Sequence, residues 1–230
     1  MNTMVQTRAH GADRQGDTSW GRTLAQCARA TLALCIVTGI AYPLLTTVVA
    51  KGVFPHAAEG SLIRQDGRVV GSELLGQSFT SARYFQGRPS VTSALDPKNE
   101  GAPISAPYNA ALSAASNQGS TSKALADAVA ERVAAYRQLN GMAADAPVPV
   151  DAVTASASGL DPHISVANAK LQAARVAKER TLPQDVVARL VENNTDRRDL
   201  WLLGEPRVNV LALNLALDAL GGPAVKGVKE

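Results

Sequence analysis

Between Arg29 and Lys51 the chain carries no charged residue. This uncharged run, residues 30–50, matches the ~20 residues that a helix needs to cross the hydrocarbon core of a bilayer. Lipid offers no hydrogen bonds to a bare backbone, so a segment placed there must satisfy its own amides as a helix. A cleaved secretory signal has a shorter apolar region of ~7–15 residues and exits through Ala-x-Ala. Here the run is longer, and Val48 stands two before Ala50. We read residues 30–50 as a retained transmembrane anchor. Arg14, Arg22 and Arg29 on one side balance Lys51, Arg64 and Arg68 on the other, so the positive-inside count leaves the orientation open.

On a straight helix Thr31, Cys35, Thr38, Gly39, Tyr42 and Thr46 share one face. Small and hydroxyl-bearing residues let membrane helices approach and hydrogen-bond. Thr38, Gly39, Tyr42, Pro43 and Thr46 are therefore a candidate membrane interface. Membrane helices also tolerate Thr and Pro without any partner, and both readings stand. Pro43 has no N–H to offer the Gly39 carbonyl, which predicts a kink or a borrowed partner.

The chain's 230 residues allow one medium domain or two small ones. Aromatics make up only 4%, so the core must be built from Ala, Val and Leu on closely packed helices. Residues 1–29 read as a flexible polar tail, and it carries most of the net charge of +3. The remainder is nearly neutral, with no basic stripe and no interleaved aromatics, which excludes a nucleic-acid partner. Cys27 and Cys35 both lie at or inside the anchor, so neither a disulfide framework nor thiol chemistry serves the rest.

Beyond the anchor, Asp66-Gly67 between two apolar runs marks a two-residue hairpin. Residues 86–121, rich in Gly, Pro, Ser and Asn, read as a long loop region. Leu125, Val129, Val133, Tyr136 and Leu139 keep helical spacing after Thr121 or Ser122, and Asn140-Gly141 ends that helix. Residues 148–154 are expected as a short edge strand. Ser165 caps a helix to about Arg180, and Pro183 opens another to about Glu192. Residues 208–220 fit either alternation or a helix. Asn209 as cap and Gly221-Gly222 as terminator favour the helix. The class is α+β: one N-terminal transmembrane helix, then a single mixed domain.

Chemistry is sparse. His10, His56 and His163 lie far apart, and no metal-ligand spacing, Walker loop, dinucleotide fingerprint or nucleophile elbow occurs. The densest polar stretch is Thr154-Ala155-Ser156-Ala157-Ser158-Gly159-Leu160-Asp161-Pro162-His163-Ile164-Ser165. Ser158, Asp161 and His163, this close in sequence, usually cannot converge as a hydrolytic triad with an oxyanion hole. A turn-rich structural loop is the main reading, a partner-binding loop the second and a catalytic one the last. Tyr84, Phe85 and Arg88 form either an interface anchor or a core ring with an arginine tying down a loop. Asn117 and its serine neighbours either join such a surface or satisfy loop backbone.

These pieces, in order, resemble the C subunit of the Kdp potassium-transporting P-type ATPase family (KdpC). The likeness starts at Thr38-Gly39-Ile40-Ala41-Tyr42-Pro43-Leu44 and runs through Phe54-Pro55, Gly60-Ser61-Leu62-Ile63, Gly71-Ser72 and Gly76-Gln77. It continues in Tyr84-Phe85-Gln86-Gly87-Arg88-Pro89-Ser90, Ser116-Asn117-x-Gly119-x-Thr121, Val150-Asp151 and the stretch from Thr154 to Ser165. It closes on Gly204-Glu205-Pro206-Arg207-Val208-Asn209-Val210-Leu211 with Asn214. Departures fall at Ala114-Ala115, where the family usually has Gly-Gly, at Ser120 and Val166, where it has Pro, and over residues 95–103. The tail before Arg22 lies outside the likeness.

The resemblance implies a non-catalytic accessory subunit of an ATP-driven, high-affinity potassium uptake pump. It would span the bacterial inner membrane once, with residues 1–29 cytoplasmic, 30–50 in the membrane and 51–230 extracytoplasmic. Its implied partners are a channel-like potassium-binding subunit and a catalytic ATPase subunit. The alternative it raises is a nucleotide-binding helper that increases the ATP affinity of the catalytic chain. ATP enters by resemblance alone, since no phosphate cradle is visible.

Overall fold

Pro43 shapes the long helix. In the computed structural model, which describes residues 20–99 and 101–220, an unbroken helical rod runs Trp20–Val53. It comprises α1 (Trp20–Ile36), a π turn (Val37–Ala41) and α2 (Tyr42–Val53). At 34 residues it is roughly 50 Å long, and among the described residues it is the one helix long and apolar enough to cross a membrane. The helix begins ten residues before the uncharged run, so residues 20–29 are helical and not a flexible tail. Residues 1–19, with His10, lie outside the described residues.

The expected distortion at Pro43 takes the form of the π turn. A proline ring collides with the carbonyl four residues back. The turn widens over that carbonyl's neighbourhood, and the Tyr42 N–H reaches Val37 O. Thr46 Oγ1 donates to Tyr42 O at 2.9 Å, and Thr47 Oγ1 donates to Pro43 O at 2.7 Å. A π turn inserts about one extra residue, which rotates everything beyond it by about 100°. The face shared by Thr31, Cys35, Thr38 and Gly39 therefore does not continue straight into Tyr42 and Thr46.

A second unit begins at Glu59, after the short helix α3 (Pro55–Ala58). Asp66 and Gly67 both take positive φ, 51° and 76°, as a type I′ turn requires. They join β1 (Leu62–Gln65) to β2 (Arg68–Ser72) with Gln65 opposite Arg68. The stretch read as one long loop holds a small hairpin, β3 (Ser93–Leu95) with β4 (Pro103–Ser105). Three-residue strands are too short to show alternation in sequence.

Helix α4 (Lys123–Asn140) follows Ser122 and stops at Gly141, as the periodicity predicts. The expected edge strand is instead one helical turn, α5 (Val150–Val153). Pro149 enters at φ −59°, and Thr154 closes the turn by donating to Val150 O at 2.7 Å. The Asp151 carboxylate then accepts from Ser165 N, Ser165 Oγ and Asn168 Nδ2, all within 2.9 Å. Ser165 caps α6 (Val166–Arg180) by accepting from Asn168 N, and α7 (Gln184–Asn193) follows Pro183.

The last run is both of its alternatives. Residues 207–209 form a strand and the rest a helix, α8 (Val210–Ala219), with Asn209 as cap. Gly221-Gly222 lie outside the described residues. Strand β7 (Arg207–Asn209) is central in an antiparallel sheet between β5 (His163–Ser165) and β6 (Thr195–Asp196). Ile164, Val208, Val176, Val187, Val191, Leu213 and Leu217 pack with Phe85 to form the core. As the composition demands, most of these side chains are small.

Asn209 does two jobs: Oδ1 accepts from Ala212 N at 3.0 Å, and Nδ2 donates to Glu73 O at 2.8 Å. Asn209→Ala should cost about 1–3 kcal/mol in denaturant unfolding. Asn209→Asp should recover the cap alone and fall between.

Candidate functional site

Residues 82–86 enter the core with no strand beside them, yet buried backbone amides and carbonyls need partners. Side chains of α6 and α8 supply them. Asn214 Oδ1 accepts from Phe85 N and its Nδ2 donates to Phe85 O, each at 2.9 Å. Gln172 repeats the pairing one residue on, with Gln86 N at 2.8 Å and Gln86 O at 3.0 Å. Asn214 is 0% and Gln172 1% exposed. These two side-chain amides stand in for a neighbouring strand.

Arginines complete the cradle. Arg175 donates to Ala82 O, to Tyr84 O at 3.1 Å and to Asn140 Oδ1 at 2.9 Å. Arg180 donates to Arg83 O at 2.8 Å and pairs with Asp218 at 2.7 Å. Its guanidinium lies 4.6 Å from the centre of the Tyr84 ring, and the Tyr84 hydroxyl meets the same Asp218 carboxylate at 3.2 Å. Phe85 has no exposed surface, so its ring belongs to the core.

The chain then turns outward at Arg88. Its guanidinium meets Asp161 Oδ2 at 2.9 Å, and Asp161 Oδ1 accepts from His163 N at 3.0 Å. Burial pushes the Asp161 pKa up, but hydrogen bonds from His163 and Arg88 outweigh it and hold the value at about 2. His163 Nδ1 stands 3.7 Å from Asp161, and Nε2 stands 4.0 Å from Asp196. Ser158 Oγ accepts from Leu160 N at 3.1 Å, which shapes the turn. Ser158 O accepts from Ala114 N and Ser113 Oγ.

Nearby, Ser90 Oγ donates to Gly159 O at 2.7 Å and accepts from Tyr108 N at 3.0 Å. The Tyr108 hydroxyl donates to Arg88 O at 2.6 Å. A Cβ on Gly76 would collide with the Tyr108 ring, and one on Gly87 with its hydroxyl, so the two glycines admit the ring between them. Burial pushes the Tyr108 hydroxyl up to about 12. A hollow of 510 Å³ opens beside this junction, lined in part by Leu74, Leu75, Arg88, Ser156 and Asp161. Asn117 sits apart, exposed and at φ 51°, in the approach to α4.

The structure thus brings Arg88, Asp161 and His163 together around Ser158's loop, and turns Tyr84 and Phe85 inward to a different set of partners. Among the described residues no group of three His, Cys, Asp or Glu side chains could hold a metal. Both Asp161 oxygens are engaged, which suits bracing. In the Trp20–Val53 helix Thr38 Oγ1 donates to Leu34 O at 2.7 Å. Sequence reasoning missed Gln172, Arg175 and Arg180 as the cradle. One signal was available: Asn168, Gln172 and Arg175 recur at helical spacing beside Ala169, Ala173 and Val176, on the buried face of α6.

Comparison with known proteins agrees with this build. Residues 24–219 match the model of the family described as KdpC: K+-transporting ATPase, c chain. The chain belongs to the KdpC family. Similar relatives named "Potassium-transporting ATPase KdpC subunit" occur in several bacteria. That of Bradyrhizobium diazoefficiens is 56% identical over 81% of this chain and 92% of its own. The one from Rhodopseudomonas palustris is 55% identical over 82% and 93%, and that of Sorangium cellulosum 56% over 81% and 92%. The family match spans the Trp20–Val53 helix from residue 24 as well as the mixed domain.

Two outcomes follow for this KdpC-family domain. Asn214→Ala strips two buried backbone groups of their partner and should cost about 3 kcal/mol in denaturant unfolding. Asp161, whose folded pKa is depressed, contributes stability that is complete above its ordinary value of 3.8 and is lost as pH falls toward about 2. Unfolding followed across that window should show the loss, and Asp161→Asn should flatten it.

Proposed function

We propose that this chain is a non-catalytic accessory subunit of an ATP-driven potassium uptake pump, anchored in the bacterial inner membrane by the Trp20–Val53 helix. Family membership over residues 24–219 is the observation that carries the reading. The state of the polar cluster supports it: Arg88, Asp161, Ser90 and Ser158 bond to the chain's own backbone and to one another. Side chains committed in that way hold a surface in shape for another protein. Residues 1–29 are cytoplasmic and residues 51–230 face outward in this reading, an orientation taken from the family resemblance.

The partners are the channel-like potassium-binding subunit and the catalytic ATPase subunit, met in the membrane by two faces set off by the π turn, Thr38 and Gly39 within it and Tyr42, Pro43 and Thr46 beyond it. Outside the membrane the contacts are Asn117 and the loop of Ser158, Asp161 and His163, held by Arg88, while Tyr84 and Phe85 serve the core. The domain stabilises the assembly and supports potassium entry. Co-purification with the other subunits and potassium-stimulated ATPase, each with and without this chain, test the reading. Without the chain, stimulated activity should fall severalfold and the complex should dissociate in detergent. The triple variant Thr38→Leu, Gly39→Leu, Tyr42→Leu should weaken recovery of the complex. An intact, fully stimulated complex lacking the chain would sink the proposal.

A further inference from the structure

Strands β6 and β7 are joined by residues 197–206, and the tip of this excursion is apolar and bare. Leu200 is 84%, Trp201 87%, Leu202 78% and Leu203 57% exposed. The tip is pinched shut at its base: Asp199 N donates to Leu203 O at 2.8 Å, and Leu203 N donates to Asp199 O at 2.9 Å. Leu200 and Trp201 adopt φ of 50° and 66°, a region that disfavours bulky side chains. Arg198 is held by Glu205 at 2.9 Å, and Arg207 lies 3.5 Å from Asp199. Asp196 and Arg197 add one charge of each sign, so the excursion is neutral. A hollow of 490 Å³ runs beside Trp201, lined also by Val166, Thr195, Arg197, Arg198 and Pro206.

Four large apolar side chains at a convex, neutral tip are the composition of an interfacial membrane anchor, where Trp sits at headgroup depth and Leu reaches the acyl boundary. A bilayer is also at hand. Eight residues, 54–61, four of them in α3, separate the end of α2 at Val53 from the start of β1 at Leu62. Even with α3 unwound they reach no more than roughly 28 Å, so lipid is held at high effective concentration around the domain. We propose that residues 200–203 insert into the interface of the same bilayer that holds the chain's own helix. The proposal rests on reading Trp20–Val53 as membrane-spanning. A soft lipid surface accepts a convex tip without a complementary cavity. Because the flanking charges cancel, insertion is hydrophobic: it needs no anionic lipid and resists salt.

The chain has two tryptophans, so Trp20→Phe leaves Trp201 as the sole reporter. The full-length variant, reconstituted in phosphatidylcholine vesicles, should lose roughly half its emission when the acyl chains carry bromine, equally at low and high salt. Its emission should also resist aqueous acrylamide. Flotation of the vesicles checks the helix independently. A chain that floats while Trp201 stays open to acrylamide and blind to bromine overturns the inference alone. Trp201 shielded only after the companion pump subunits are added, still without bromine quenching, gives the tip to a protein and overturns it too. A chain that does not float overturns the spanning reading, and the inference with it.

Discussion

Two side-chain amides, Asn214 and Gln172, pair with consecutive residues of the same buried segment, and the rest of the domain is arranged around that pairing. Each offers one donor and one acceptor to the C=O and N–H of a single residue, as a neighbouring strand would. The segment can therefore cross the core without belonging to a sheet. Phe85 is delivered among Val176, Leu213 and Leu217 as a result, and it fills a volume that small aliphatic residues would leave open. Net hydrogen-bond gains are about 1 kcal/mol each, whereas unpaired buried groups cost more. The pairing thus specifies where the segment runs more than it adds to stability.

The same economy governs the outward half. Arg88 reaches Asp161 across 73 residues of sequence, and Ser90 reaches Gly159 across 69. Two stretches poor in regular structure are joined by single side chains, each bonded to backbone or to an opposite charge. A surface organised in this way is stiff without being helical or stranded, which suits a chain whose family builds an assembly.

Much of this was legible beforehand, and the exceptions have physical causes. Helices α4, α6 and α7 announce themselves through periodic apolar positions and caps, and the β1–β2 hairpin through Asp66-Gly67. Strands β3 to β7 span two or three residues, too few for alternation, and their pairing is decided by partners far away in sequence. Residues 148–154 looked extended because of Pro149, yet Asp151 is needed at the Ser165 cap, and a helical turn carries it there. At the site, Arg88 and Asp161 were visible as residues but not as a pair. The buried amides of α6 and α8 read as ordinary polar positions, because sequence alone does not show that they face a bare backbone. In the long apolar helix the effect of Pro43 was foreseeable, but the π turn was not.

The Tyr108 ring has a further consequence. It is wedged where neither Gly76 nor Gly87 tolerates a side chain, while its hydroxyl and amide are bonded to Arg88 and Ser90. Two stretches that are separate in sequence, around Gly76 and over residues 87–90, are thereby threaded onto one aromatic pin. Neither can swing open while the ring remains seated, so the region gives way all together or not at all. A segment that would pass for a flexible loop by composition acquires the cooperativity of an element of regular structure.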